Sequence, residues 1–121
     1  MTGLIHAYYV PDHLDEWIGY GVFFIVASAC QLRFALFLVE AHHPICREIL
    51  WAGILGNLAI IAMWVITRTI GVPIGPMAGE IVKIGVPDLT SITAELSVIV
   101  CLVVLLRLEA DRSASKDLPS A

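Results

Sequence analysis

The stretch WIGYGVFFIVASACQLRFALFLV, residues 17–39, runs for 23 residues with only Gln31 and Arg33 interrupting its apolar character. About 20 residues of helix cross the hydrocarbon core of a bilayer, so this run is long enough to span it with some tilt. A second run, ILWAGILGNLAIIAMWVITRTI at 49–70, has the same character, with Asn57 inside it and Arg68 near its end. The third, 88–108, opens on the polar DLTSITAE and is uniformly apolar only from Leu96 to Leu106. It spans only if Glu95 is sheltered from lipid. Asp88, directly after Pro87, suits the start of that helix, because a carboxylate there accepts hydrogen bonds from free N–H groups.

Composition agrees. Of 121 residues 59% are hydrophobic and 15% charged, and the mean hydropathy is +0.88. A soluble domain carries roughly a quarter charged residues, and one of this size exposes too much surface for so few polar side chains to cover. The expected fold is therefore all-α, an integral membrane protein with three transmembrane helices in a single domain over 1–108. Residues 71–87 form an apolar Gly/Pro loop, and 109–121 a mobile polar tail.

Basic residues set the expected orientation. Arg33, Arg47, Arg107, Arg112 and Lys116 fall on one side, Arg68 and Lys83 on the other, which puts the N-terminus outside and the C-terminus in the cytoplasm of a cell membrane. Residues 1–16 hold no Lys or Arg and include Asp12, Asp15 and Glu16, unlike a secretory leader, so the N-terminal segment is expected to be retained. The net charge is −4 with the basic residues scattered, so nucleic acid is not an expected partner. Cys30, Cys46 and Cys101 lack the spacing of a disulfide framework and read as thiols.

Several residues are candidates for chemistry. Glu95 lies roughly 10 Å along its helix, at 1.5 Å per residue, where a carboxylate must be paired, protonated or hydrated. Arg68, reaching inward from the end of the second span, is the expected partner, forming either a packing ion pair or part of a proton or cation site. On the outer face His6, His13 and Glu16 offer imidazole and carboxylate ligands of the kind zinc or copper takes. His13 and Glu16 share one face if a helix begins at Pro11, although an interfacial cap explains the same residues. His42, His43 and Cys46 in HHPIC read first as a tight turn around Pro44. Gly53 and Gly56, with Ala52 and Ala59, make one side of the second span thin and suited to helix packing, with Gln31 and Asn57 bonding across such a contact. Trp17, Tyr20 and Trp51 suit the membrane interface. No nucleophile, base and orienting group assemble, and no phosphate-binding glycine loop is present, so no enzyme activity is expected.

HLDEWIGYGVFF, Gln31, Gly56-Asn57, TRTIGVPIGP, Gly79-Glu80, Asp88-Leu89 and Glu95 together resemble a family of small prokaryotic multi-span membrane proteins. The resemblance covers most of residues 13–95. It implies the membrane fold and marks His13, Glu16, Arg68, Glu80 and Glu95, without naming a reaction or a cofactor. The family pattern often has a second Trp where this chain has Ile18. Three helices enclose no useful pore alone, so the protein is expected to work with other membrane subunits or with copies of itself. Two functions follow as expectations. One is an accessory subunit of a larger membrane complex that helps hold a cofactor or lipid. The other is a homo-oligomeric binder or conductor of metal cations or protons, using the outer His/carboxylate cluster and Glu95.

Overall fold

The computed structural model describes residues 1–41 and 45–116. Four helices follow one another, α1 (Thr2–Glu16), α2 (Ile18–Glu40), α3 (Arg47–Thr69) and α4 (Val86–Lys116). Of these, α2, α3 and α4 are long and apolar enough to cross a membrane. The protein is an all-α membrane protein with three spans, whose limits lie close to those the hydropathy gives.

Helix α1 is the element that hydropathy misses. Its apolar part is too short to span, and Pro11 sits inside it, where its missing N–H leaves the carbonyl of Ala7 without a helical donor. The helix ends at Trp17, whose extended backbone (φ −170°, ψ 137°) separates α1 from α2. Trp17 closes one helix with its N–H on the His13 carbonyl and opens the next with its own carbonyl, which accepts from Tyr20 and Gly21. The chain therefore folds back, and α1 runs antiparallel along the first half of α2. Leu14 lies against Gly21, and Gly3 against Ser28, Gln31 and Leu32. A Cβ on Gly21 would sit 2.2 Å from Leu14 Cδ2, so the close approach depends on that glycine.

The α3–α4 loop is a compact turn rather than a slack connection. Val72 N–H donates to the Glu80 carbonyl at 3.0 Å and Gly79 N–H to the Val72 carbonyl at 2.9 Å, while Val82 N–H returns to the Thr67 carbonyl at the end of α3. Tyr20 Oη donates to the Ile74 carbonyl at 2.8 Å and seats the turn on α2. Gly71 has φ +107°, and a Cβ there would fall 2.5 Å from the Gly79 carbonyl carbon. Only glycine fits. Helix α4 starts at Val86, with Asp88 Oδ2 accepting the Gly85 N–H at 2.7 Å, the reaching-back half of a capping box.

At the opposite end of the bundle, Leu50, Ile54 and Leu102 are buried among Phe34, Leu38 and Leu106. Gly53 admits the Phe34 ring there, since a Cβ on it would lie 2.4 Å from Phe34 Cζ and 2.9 Å from Leu102 Cδ1. This small core is the only fully buried apolar cluster among the described residues; most other large apolar side chains, such as Leu36, Leu55 and Val100, face outward. Residues 109–116, expected as a mobile tail, continue α4. Arg112 Nη1 bonds Glu109 Oε1 at 3.1 Å and Ser113 Oγ bonds the Glu109 carbonyl, and Glu, Ala, Arg and Lys are good helix formers.

Candidate functional site

Three helices deliver one polar side chain each to a single buried point. Gln31 stands on α2 roughly 21 Å beyond Trp17, His6 on α1 roughly 16 Å back from it, and Glu95 on α4 about 14 Å past Val86, at 1.5 Å per residue. Because Trp17 and the α3–α4 loop share one end of the bundle, all three residues meet well inside the membrane-spanning layer. Glu95 is completely buried and His6 is 6% exposed. Gln31 Nε2 donates to Glu95 Oε1 at 2.7 Å, and His6 Nε2 lies 3.2 Å from the same oxygen. Glu95 Oε2 and Gln31 Oε1 are buried without a hydrogen-bond partner.

This arrangement corrects the expected Arg68–Glu95 pair. Arg68 Nη2 instead binds Asp88 Oδ1, with Nη1 on Thr67 Oγ1 at 2.6 Å and the guanidinium carbon 5.6 Å from the centre of the Trp64 ring. The reason is depth. Asp88 opens α4 at the level where α3 ends, whereas Glu95 is seven residues, roughly 10 Å, further in. The Arg68–Asp88 pair ties α3 to α4 at the interface, where both groups are partly exposed, and is worth about 1 kcal/mol.

The proposed metal ligands do not converge. His6 is drawn to Glu95, while His13 Nδ1 sits 3.0 Å from Glu16 Oε2 in the last turn of α1. The two histidines are two helical turns apart, and the Phe24 ring contacts both, with centroids 5.3 Å from His6 and 3.9 Å from His13. Among the described residues no group of three His, Cys, Asp or Glu side chains could hold a metal ion. The His13–Glu16 face arises on a helix that begins at Thr2 rather than at Pro11. His42 and His43 lie outside the described residues, and Cys46 is an exposed residue at the start of α3.

Of the packing residues, Gly53 lies inside the bundle, whereas Gly56 has nothing within 4 Å of where its Cβ would be. Asn57 is buried, but its Nδ2 donates to the Gly53 carbonyl of its own helix at 2.6 Å rather than across a contact. Gln31 does bond across, to Glu95. Sequence reasoning missed His6 as the partner of Glu95. The signal available was a lone histidine in the apolar stretch LIHAYYV, which in a membrane must have a polar neighbour. Compared with known protein families, curated proteins and solved structures, this chain matches none.

Proposed function

We propose that this chain is a small accessory subunit that packs against the helices of a larger membrane complex. The observation that carries the reading is the outward face of α3. Ala52, Gly56 and Ala59 recur there at helical spacing, all exposed, and among the described residues nothing outside its own helix backbone lies within 4 Å of where a Cβ on Gly56 would be. Bulky side chains face lipid well. Small ones at this spacing let a second helix backbone approach closely, which is how membrane helices associate when no hydrophobic force separates them from lipid. A second unpartnered surface supports it. An open groove of about 660 Å³ runs along α4 beside Thr90, Thr93, Ser97 and Cys101, and these hydroxyl and thiol groups are small as well. The positive-inside bias puts the α3–α4 loop on the outer side of a cell membrane and the end of α4 in the cytoplasm.

Mild detergent extraction from native membranes followed by size separation and mass analysis tests this. An accessory subunit migrates with larger subunits, and Gly56→Leu releases it from them while the isolated chain keeps its helix content. Migration of the wild-type chain alone, or only with copies of itself, would refute the reading. The buried carboxyl of Glu95 favours the second reading, a self-assembling conductor. That reading requires neighbouring copies to open a path to a group that is sealed within one chain.

A further inference from the structure

Three buried side-chain oxygens lack a hydrogen-bond partner among the described residues, and two of them, Gln31 Oε1 and Glu95 Oε2, belong to side chains already joined by one hydrogen bond. An amide and a carboxyl group linked through N–H···O close a cyclic pair when the acid's own O–H donates back to the amide oxygen. With Glu95 ionised, both remaining oxygens are acceptors and neither can serve the other. A single proton on Glu95 Oε2 supplies the missing donor and removes a bare negative charge from the membrane interior. The orientation of the Gln31 amide does not alter this. Turned over, it would bring oxygen rather than nitrogen to 2.7 Å from Glu95 Oε1, and two oxygens that close need a proton between them.

Among the described residues no Lys or Arg side chain contacts Glu95 to hold an anion there. From α1 the facing group is His6, whose Nε2 lies 3.2 Å from Oε1 and donates to it in the neutral tautomer that carries its proton on Nε2. From α2 it is the uncharged Gln31. On α3 the charge nearest this level, Arg68, is engaged by Asp88, the next acidic residue toward the start of α4. His13 and Glu16 are paired at the end of α1, with Phe24 against His13 on one side and His6 on the other.

We propose that His6, Gln31 and Glu95 form an intramembrane proton-binding site, in which Glu95 holds one exchangeable proton on Oε2 and donates it to Gln31 Oε1 beside a neutral His6. All three side chains belong to one chain, so the site does not depend on what that chain assembles with. Infrared spectroscopy of the full chain in lipid bilayers tests it. Near neutral pH the wild type should show the carbonyl band of one protonated carboxylic acid, shifted by deuterium exchange and absent from Glu95→Gln. Gln31→Leu should keep that band but move it to higher frequency as the partner is lost, a change that a merely structural role would not produce. Should Glu95→Gln fail to assemble, carbon-13 spectra of wild-type protein labelled at its six glutamates give the same answer, with one carboxyl carbon at the protonated position. A spectrum with no protonated carboxyl would overturn the proposal. So would a band that appears only when sodium is replaced by choline, because a metal cation would then occupy the site.

Discussion

Replacing Glu95 by Gln separates two descriptions of the buried cluster by energy alone. If Glu95 is a neutral acid, the new amide is its near-isostere. Its N–H can donate to Gln31 Oε1, and its oxygen can accept from Gln31 Nε2 and His6 Nε2, the two donors now within 2.7 and 3.2 Å of Oε1. No hydrogen bond is lost, and the expected change in stability is below about 1 kcal/mol. If the cluster were instead an imidazolium–carboxylate ion pair, the same substitution would strand a charged His6 that is 6% exposed. Breaking a buried ion pair in this way costs about 3–5 kcal/mol. Glu95→Leu calibrates the scale. It leaves the Gln31 amide and His6 unpaired, and at roughly 1–3 kcal/mol per buried polar group it should cost about 2–6 kcal/mol. Reversible unfolding in mixed dodecyl sulfate and maltoside micelles, followed by fluorescence of the three tryptophans, measures both. A loss of 3 kcal/mol or more for Glu95→Gln, matching that for Glu95→Leu, would refute the neutral-acid argument.

Gly53→Val should destabilise the chain by about 1–3 kcal/mol through overpacking against Phe34 and Leu102; Phe34→Leu in the same chain should recover part of that loss, and additive effects in the unfolding assay would show that the two do not touch. Gly71→Ala forces a side chain into φ +107° and onto the Gly79 backbone, a cost of about 1–3 kcal/mol; amide exchange should speed up at 72–80 and stay unchanged in α2, and uniform exchange rates across the chain would contradict it. Tyr20→Phe removes the bond to the Ile74 carbonyl and should cost about 1 kcal/mol, with the loop becoming sensitive to added protease; a loop as resistant as wild type would mean that the bond does not hold it.

The three spans were legible because lipid imposes a one-dimensional rule on sequence, namely a sufficient run of apolar residues. What that rule cannot reach is pairing. Helix α1 was hidden because its length fails the rule, its Pro11 reads as the start of a helix rather than its interior, and its close packing on α2 through Gly3 and Gly21 is a three-dimensional property. Arg68 was matched to Glu95 on the assumption that two lone intramembrane charges seek each other. With His6 brought in on α1, Glu95 has a nearer polar neighbour, and Asp88 meets Arg68 at its own depth. Gly53 and Gly56 look equivalent in sequence, yet only the helix rotation decides that one faces Phe34 and the other faces out. The continuation of α4 past Leu108 escaped for a different reason. Once apolar periodicity stops, only propensity and the Glu109–Arg112 spacing speak for helix, and those signals are weak.

Helix α4 is unbroken from the buried Glu95 to Lys116, a distance of roughly 32 Å at 1.5 Å per residue. Between the two it contains neither Pro nor Gly, common sites of a sharp kink, so at most it curves gently. A small rotation needed to accommodate a change at Glu95 would therefore swing Arg107 and Arg112, which project beyond the apolar stretch, through the same angle. One continuous helix thus joins the fully buried Glu95 to charged side chains past the apolar stretch.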